Sequence, residues 1–580
     1  MSDRKGTRET RAHAERRKKR KFPGNRYTLE NDLDYTSASA KKLLGSMNLE
    51  VPVASNFAYC ILEFASVFSA ISANVICKEC KNDVTFSQTI LRGLGFKILM
   101  SCKCSTDKTI NSGPMIQNAF EINRRFVFAM RLLGVGHEGA NLFCSLLDIC
   151  QGIGNSTYTA LLENIHTAAS AVYESVLSFA ATQEKNMNEE AGKPQIELTV
   201  SGDGTWKKRG FSSLFGVSTL IEKYSGKVID AMVMNSFCGA CNLWKKLKNT
   251  EPEKYEAWYA DHESECSINH TGSSGKMEID AIIAMFLRSI EKHGVKYLTY
   301  VGDGDSKTFN GILKAEPYGN DSPVIKKECV GHVEKRMGTR LRNVKKNNKG
   351  IGGKGQGKLT DKLIIEMTKC YGLAIRRHPD SLEEMKKEVW ATFYHKCSTD
   401  ENPQHQNCPA GEGSWCKWRQ AEAKSTLDQF HHEKAPLSKE VQAVVKSIYE
   451  DLSKDDLLTR CLGAETQNNN ESLNSLIWTF APKHLHSGAQ IVQIATFLAV
   501  VILNEGFQGI IKIMHTMGCS IGRSAHAYVE RRDKARISRS EQRMSDAARE
   551  VRISAREEQS ALRNLQEEEE GILYAPGIAD

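Results

Sequence analysis

The sequence predicts a mixed α/β fold organised around a five-stranded sheet that helices flank. Two runs of β-branched and aromatic residues, 196–206 and 296–305, each contain Gly-Asp-Gly and predict strands that end at an Asp. Between them, segments with period-two alternation predict two more strands, joined by a hairpin turn at residues 224–226. A helical segment precedes the second run, and residues 324–327 predict a short fifth strand.

Asp203 and Asp303 hold equivalent positions in these two predicted strands. Because a helix leads into the second strand, that strand can lie beside the first and parallel to it. Both carboxylates would then lie at the same edge of the sheet, where they can share divalent metal. An isolated Asp after a strand is more often a turn or helix-cap residue, so the repetition of the motif is what favours a metal site.

Length and composition indicate a soluble globular protein of about two to four domains. The chain has 580 residues, of which 40% are hydrophobic and 26% are charged. No apolar run is long enough to cross a bilayer, and the polar, basic N-terminus does not resemble a secretory signal. We therefore expect no membrane partner.

The formal net charge of +8 is unevenly distributed. Residues 1–27 hold eleven Lys/Arg and three Asp/Glu, which accounts for the whole excess, and predict a disordered tail. Nuclear import and phosphate contact are the usual uses of such a segment, and a solvated tail without a role is the alternative. A second basic block, residues 326–358, follows the second Gly-Asp-Gly, where a polyanion approaching the carboxylates would lie.

The chain has seventeen Cys, an odd number, and many stand in Cys-x-x-Cys or Cys-x-Cys pairs. Without an export signal, such pairs indicate zinc rather than disulfides. Buried thiols without metal are the alternative. The first predicted zinc set lies in a zinc-ribbon-like module and consists of Cys77, Cys80, Cys102 and Cys104.

Two further sets of thiols and imidazoles are spaced like zinc ligands. The second predicted set is Cys238, Cys241, Cys266 and His270, with His262 as a spare ligand. The third is drawn from Cys397, His405, Cys408 and Cys416, with His395 in the same stretch. The irregular spacing of the third set leaves its ligands open.

Two helical segments carry candidate functional patterns, one for DNA binding and one for metal binding. Residues 115–190 have helical periodicity interrupted by a glycine turn, which is compatible with a DNA-reading helix-turn-helix or with a simple packed helix pair. Further on, Asn468, Glu471 and Asn474 recur at three-residue spacing, opposite an apolar helix face. A third metal-binding carboxylate with hydrogen-bonding neighbours would give this pattern, as would a solvated helix face.

The ordered set of Asp203, Asp303, Cys329-x-x-His332 and the stripe of Asn468, Glu471 and Asn474 resembles the catalytic domain of Mutator-like DDE transposases over roughly residues 195–510. The resemblance implies a ribonuclease-H-like fold, with the first three strands antiparallel. It also implies that Asp203, Asp303 and Glu471 are catalytic and bind Mg²⁺ or Mn²⁺. Glu465 competes with Glu471 for this role. Cys329, His332, Asn468 and Asn474 would support the site.

Combined with this resemblance, the sequence divides into seven predicted regions. These are a disordered basic tail (1–50), a zinc-ribbon-like module (51–112), a helical region with a possible helix-turn-helix (113–190), the first part of the catalytic domain with a zinc-binding insert at 235–275 (195–345), a helical insertion with a possible zinc cluster (346–462), the end of the catalytic domain (463–515) and a charged helical tail, peripheral or used for self-association (523–580).

The implied activity is cleavage and joining of transposon DNA by two-metal phosphodiester hydrolysis and transesterification. The implied partners are transposon and target DNA and further copies of the chain, in the nucleus. The residues expected to contact phosphate are Lys326, Lys327, Lys335, Arg336, Arg340 and Arg342. The alternatives are a domesticated zinc-dependent DNA-binding protein without catalysis and a ribonuclease-H-fold nuclease that does not join ends.

Overall fold

The computed structural model describes residues 37–104, 107–208, 213–304, 306–353, 355–432 and 436–544. The described residues fall into two compact units. The first, which we call the sheet unit, comprises residues 37–327 and 466–544. The second, which we call the inserted unit, comprises Glu328–Glu465. No helix of the described residues has the length and apolar character needed to cross a membrane.

The helices, in chain order, are α1 (Ala38–Leu44), α2 (Phe64–Ser72), α3 (Glu121–Leu132), α4 (His137–Leu146), α5 (Asn155–Glu190), α6 (Gly239–Trp244), α7 (Leu247–Thr250), α8 (Pro252–His262), α9 (Ser274–Leu287), α10 (Ser289–His293), α11 (Ser306–Ala315), α12 (Val330–Asn347), α13 (Asp361–Arg377), α14 (Leu382–Cys397), α15 (Lys417–Ala423), α16 (Lys439–Leu452), α17 (Asp455–Cys461), α18 (Asn468–Phe480), α19 (Ala489–Glu505), α20 (Gln508–Thr516) and α21 (Arg523–Met544). Short 3₁₀ turns cover Glu263–Glu265 and Leu427–Gln429.

The strands are β1 (Val53–Ala54), β2 (Thr85–Arg92), β3 (Gly95–Ser101), β4 (Lys108–Asn111), β5 (Met115–Ile116), β6 (Ala119–Phe120), β7 (Glu197–Trp206), β8 (Phe215–Glu222), β9 (Val228–Asn235), β10 (Lys296–Gly302), β11 (Ile325–Glu328) and β12 (Ile521–Gly522).

The central sheet has five strands in the order β11-β10-β7-β8-β9. Strands β7, β8 and β9 form an antiparallel meander, and the β8–β9 turn contains Gly226 at φ 64, where the absence of a Cβ removes strain. Strand β10 pairs in parallel with β7, after helices α9 and α10 have carried the chain across. The prediction of a mixed five-stranded sheet is confirmed.

The prediction that the first strand ends at Asp203 is wrong. Strand β7 continues to Trp206, because β8 pairs with it from Val200 through Trp206. Strand β10, in contrast, ends at Gly302. Asp203 therefore lies inside a strand, beyond the last residue that β10 pairs on its other side.

The two faces of β7 are covered by different helices. Leu198 and Val200 lie on one face, in a buried cluster with Phe286 of α9. Residues of the opposite parity, such as Ser201, face α18, as their hydrogen bonds show. The largest core cluster packs α5, α18, α19 and α20 around Val217 and Val228 of the antiparallel strands. The sheet is thus a buried layer between helices.

Segments from near both ends of the described chain are part of the sheet unit. Strand β1 pairs in parallel with β12, with Val53 opposite Ile521. In α21, the Arg536 guanidinium donates to the carbonyls of Ile502 and Leu503 at 2.6 and 2.9 Å, and so caps the C-terminal end of α19. Of the predicted basic tail, residues 1–36 lie outside the described residues, and α1 begins at Ala38.

The N-terminal part of the sheet unit contains a small antiparallel sheet and, after it, helices α3, α4 and α5. The sheet has the order β2-β3-β4. Helices α3 and α5 contribute Phe126, Val127 and Ile165 to the main core, whereas α4 buries only Ala140 and Cys144. Helices α3 and α5, from the region that is compatible with a helix-turn-helix, therefore pack mainly inside the unit.

The inserted unit is helical and has its own core. Helices α12, α13, α14, α16 and α17 surround a buried cluster that includes Tyr371, whose hydroxyl donates to the Leu452 carbonyl at 2.8 Å. The unit begins at Glu328 and so includes the basic helix α12, which the sequence analysis assigned to the catalytic domain.

Candidate active site and metal centres

Helix α18 is attached to β7 by four polar side chains of one helical face. Gln467, just before α18, donates to the Gly202 carbonyl at 2.6 Å, and Asn470 donates to the Ser201 carbonyl at 3.2 Å. Asn474 Nδ2 donates to Asp203 Oδ2 at 2.7 Å. The last of the four contacts is a 2.8 Å bond from Trp478 Nε1 to Thr205 Oγ1. The Asp203 carboxylate is therefore held by the helix that carries Glu471.

This arrangement corrects the predicted polar stripe. Three-residue spacing drifts around a helix, because each residue turns it by about 100°. The residues facing β7 follow the spacing 467, 470, 474 and 478 instead, so Asn474 points at Asp203 whereas Asn468 is exposed on another side. Glu471 is exposed, one residue after the buried Asn470 and one turn before Asn474.

Asn470 is a functional candidate that the sequence reading missed. It is fully buried, it accepts from Ser201 Oγ at 2.8 Å, and its amide also lies 3.4 Å from the Thr219 carbonyl of β8. It therefore spans two strands beside Asp203. The spacing of three and four residues from Gln467 to Asn470 to Asn474 is the signal that could have revealed it.

Three glycines of the two Gly-Asp-Gly motifs leave room for the protein's own side chains. A Cβ on Gly202 or Gly302 would lie within 2.5 or 2.7 Å of the Tyr300 ring. A Cβ on Gly204 would meet the Glu278 carboxylate of α9 at 2.6 Å. The glycine spacing therefore reflects close packing on the α9 side of the sheet, opposite to the side that Asp203 faces.

The four N-terminal thiols converge as predicted. Cys77 and Cys80 precede β2, and Cys102 and Cys104 follow β3, so the β2–β3 hairpin brings both pairs together with their sulfurs within 4.8 Å of one another. Cys77 Sγ and Cys104 Sγ are 3.7 Å apart. Hydrogen bonds from Asn82 lower the pKa of Cys80 to about 6, which favours the thiolate that zinc binds.

The second group contains His262 in place of the predicted His270. The ligand atoms of Cys238, Cys241, His262 and Cys266 lie within 4.8 Å of one another, with Cys238 Sγ 3.3 Å from His262 Nε2. His270 is buried elsewhere, with Nδ1 3.3 Å from the Asp280 carboxylate.

Two features of the second group favour metal binding. The His262 ring stacks on Trp258 of the same helix at 4.7 Å, which orients the imidazole. Burial raises the pKa of Cys238, but N–H donors from Cys241 and Ser267 outweigh it and bring the pKa to about 6. A thiolate beside an oriented imidazole is therefore accessible near neutral pH.

The third group contains His395 in place of the predicted Cys397. Its ligand atoms come from His395, His405, Cys408 and Cys416 and lie within 4.8 Å of one another. Cys397 is part of the apolar core of the inserted unit, where burial raises the pKa of its thiol to about 11. Its sulfur is not among the four ligand atoms that converge.

The separations of these atoms fit tetrahedral zinc. Bond lengths of about 2.05 Å to nitrogen and 2.3 Å to sulfur place two ligands about 3.3 Å (N to N), 3.6 Å (N to S) or 3.8 Å (S to S) apart. The two nitrogens of the third group are 3.2 Å apart, and Cys416 Sγ lies 3.4 Å from His405 Nδ1. In the second group, the sulfurs of Cys241 and Cys266 are 3.5 Å apart. These three groups could each hold a zinc ion.

The remaining predicted residues are distributed over both units. Cys329 is buried at the start of α12, and the next N–H, of Val330, donates to the Glu465 carbonyl at 3.0 Å. His332 follows in the first turn of α12. Two of the predicted phosphate contacts are in ion pairs, Arg336 with Glu328 at 2.6 Å and Arg340 with Asp451 at 3.0 Å. The others are Lys326 and Lys327 in β11 and the exposed Lys335 and Arg342 on α12.

These features describe a mixed α/β protein with an aspartate in the central strand of its sheet and three candidate zinc sites. The profile of a protein family described as Mutator-like transposase matches residues 34–416, well over half of the chain. The chain therefore belongs to the Mutator-like transposase family, as its motifs suggested. The match includes Asp203, Asp303 and the three Cys/His groups and ends before α18. No curated protein matches the chain.

Proposed function

We propose that this transposase is a DDE enzyme that cuts and joins transposon DNA, with Asp203, Asp303 and Glu471 as its catalytic carboxylates. The observation that carries the proposal is the register of β10 on β7. Val301 of β10 lies opposite Ser201 of β7 in parallel pairing. Asp303 and Asp203 each follow two residues later along their own segment. The strand order β11-β10-β7-β8-β9, with three antiparallel strands and then a parallel one, supports a ribonuclease-H-like fold.

The donor set suits a pair of Mg²⁺ or Mn²⁺ ions, because these hard cations prefer carboxylate oxygens and water. Among the described residues, the three carboxylates are not a group whose oxygens all lie within 4.8 Å. Ligands of a single ion would be that close. Carboxylates that bind different ions of a pair about 3.5–4 Å apart can be roughly 6–8 Å from each other. Asp203 would hold both ions, Asp303 one of them and Glu471 the other.

The contribution of the chain is to hold these carboxylates in place. When bound, the ions activate the attacking water or 3′-hydroxyl and stabilise the leaving oxygen. Asn474 restricts the rotation of the Asp203 carboxylate through its 2.7 Å hydrogen bond. Gln467 and Asn470 anchor α18 to the backbone of β7, and thereby fix the distance at which Glu471 can approach.

Replacing Asn474 by Ala should lower the DNA cleavage rate by about 10–100-fold, because the metal-binding Asp203 loses the partner that orients it. The matched control is Asn468→Ala on the same helix, whose exposed side chain does not face β7 and whose loss should leave the rate within about twofold. Single-turnover cleavage assays on both variants measure the effect. Equal rates for the two variants would remove Asn474 from the site.

We propose that zinc fills all three Cys/His groups and has a structural role, because each group offers four protein ligands and leaves no open position. Elemental analysis of the purified chain should then give three zinc ions per chain. His262→Ala should lose one of them and His270→Ala none. Three zinc ions in the His262 variant, or two in the His270 variant, would contradict the assignment of the second group.

Membership of a transposase family indicates that the protein acts on DNA, and we propose that the exposed side chains of the basic block contact its phosphates. Lys335 and Arg342 are the strongest candidates, because both side chains are exposed on α12. DNA affinity that falls steeply with salt, and less steeply after both are replaced by Ala, would support this.

We also propose a nuclear location, with residues 16–21 as the import signal, and assembly of several copies on DNA. A fluorescent fusion that stays outside the nucleus would contradict the nuclear location. A DNA complex that contains a single copy of the chain would contradict the assembly.

A second candidate function is that of a domesticated transposase, a zinc-dependent DNA-binding protein without catalysis. The observation that favours it is that, in the described part of the chain, Cys and His ligand atoms converge to within 4.8 Å, whereas the three carboxylates do not form such a group. The zinc groups alone would be enough for such a protein.

One assay separates these functions. The full chain is incubated with Mg²⁺, a DNA duplex with free 3′-hydroxyl ends and a target plasmid. We expect products in which the duplex is joined to the plasmid, and none when EDTA replaces Mg²⁺. Bound but unchanged DNA would favour the domesticated protein. Nicked plasmid without joined products would indicate a nuclease.

A further inference from the structure

The third Cys/His group has hydrogen-bonded neighbours beyond its four ligand atoms. The ring of His405 presents Nδ1 to the group and turns Nε2 away from it, to within 3.0 Å of His432 Nε2 and 2.9 Å of Ser398 Oγ. On the far side of its ring, His432 Nδ1 lies 2.5 Å from Asp400 Oδ1. A continuous line of polar contacts therefore runs from the ligand His405 through His432 to Asp400.

The protonation states along this line follow from the metal. A neutral imidazole has one N–H, so binding zinc through Nδ1 puts the proton of His405 on Nε2. That N–H has two acceptors within reach, Ser398 Oγ at 2.9 Å and His432 Nε2 at 3.0 Å, and His432 Nε2 can accept only when the proton of His432 is on Nδ1. The Nδ1–H then donates to the Asp400 carboxylate. Each atom along the line thus has a complementary partner.

Further contacts hold Asp400 and the ring of His405 in place. The backbone N–H of His432 donates to Asp400 Oδ1 at 2.9 Å, and Asp400 has a lowered pKa, of about 2, because of its hydrogen bonds with His432. The indole of Trp418 stacks on the His405 ring at 5.1 Å. The stacking restrains the plane of the ring, and the hydrogen bond to His432 sets its rotation within that plane.

We propose that Asp400 and His432 form the outer shell of the third zinc site, in which they select the His405 tautomer that binds the metal and slow its loss. The inference rests on the proposed zinc occupancy of this group. A carboxylate acting through an imidazole raises the basicity of the ligand nitrogen, and removal of such partners from zinc sites typically costs 10–100-fold in metal affinity. Both residues are positioning residues and do not touch the metal.

The test is the rate at which zinc leaves the purified, zinc-loaded full chain in the presence of a chromophoric chelator. We expect His432→Ala to release one zinc ion per chain at least about tenfold faster than the unmodified chain. His431→Ala is the matched control: its side chain is 82% exposed and lies 3.3 Å from the other Asp400 oxygen, away from His405, so release should not change. His432→Gln, whose amide oxygen can accept from His405, should recover part of the difference.

The outcomes separate the outer shell from the zinc site itself. Equal release from the His432→Ala chain and the unmodified chain would overturn the role of His432 while leaving the zinc site intact. Release accelerated equally by His431→Ala and His432→Ala would also overturn it. An unmodified chain that holds only two zinc ions, with Cys416→Ser still holding two, would overturn the site and the inference together. Circular dichroism shows whether each variant is folded. If His432→Ala is not folded, the zinc-release rate of the His432→Gln variant tests the proposal instead.

Discussion

The Asp203→Asn variant is expected to lose DNA strand cleavage and end joining by about a thousandfold or more, while its DNA affinity stays within about twofold. A carboxylate that bridges two metal ions contributes several kcal/mol of transition-state stabilisation, and about 4 kcal/mol corresponds to roughly a thousandfold in rate. The substitution preserves shape, and an amide oxygen can still accept the hydrogen bond from Asn474. Cleavage and filter-binding assays on the same preparation measure both quantities.

The matched control is Asp321→Asn, which makes the same chemical change at an exposed loop position of the sheet unit. It should cleave and bind like the unmodified chain. Asp303→Asn should behave like Asp203→Asn. Cleavage by the Asp203 variant at a rate near that of the control would mean that the protein does not cut DNA with this carboxylate.

The second large effect is expected on stability, at a buried ion pair that the catalytic proposal does not use. Lys227 Nζ lies 2.7 Å from Glu505 Oε1, and both side chains are fully buried. The pair joins the start of β9 to the end of α19, and Glu505 also accepts from the Met47 N–H at 2.5 Å. Lys227→Met leaves the Glu505 carboxylate buried without its cation, which should lower the free energy of unfolding by about 3–5 kcal/mol.

The control variant also removes the Glu505 carboxylate, which Lys227→Met leaves without its cation. The double variant Lys227→Met with Glu505→Met should be more stable than Lys227→Met alone, because apolar pairs of similar volume replace buried ion pairs at little cost. Urea denaturation followed by circular dichroism measures all three chains. A loss below about 1 kcal/mol in the single variant would show that the Glu505 charge is relieved by another route.

The elements that could be predicted from the sequence are those set by local patterns. The period-two alternation in β7, β8 and β9 and the short turn at Gly226 predicted three neighbouring strands. The thiol pairs on either side of the β2–β3 hairpin predicted the first group of ligands, because a hairpin brings its two ends together. A crossover helix before β10 was enough to predict its parallel pairing with β7.

The elements that could not be predicted depend on contacts between distant segments. The length of β7 beyond Asp203 is set by its pairing with β8, which no local pattern in β7 reveals. The choice of His262 over His270 depends on where α8 brings its last residue, and that of His395 over Cys397 on which side of α14 faces the apolar core. Lys227 directly follows the predicted hairpin turn at residues 224–226, and only the fold shows that it is buried against Glu505.

The central claim is that three carboxylates, two of them from adjacent parallel strands and one from α18, share a pair of divalent ions. The most direct measurement is Mn²⁺ binding to the zinc-loaded full chain in the presence of duplex DNA, followed by electron paramagnetic resonance. We predict about two tightly bound Mn²⁺ ions per chain with the spectrum of a coupled pair, and loss of that signal in Asp203→Asn but not in Asp321→Asn. The same coupled signal in both variants would contradict the claim.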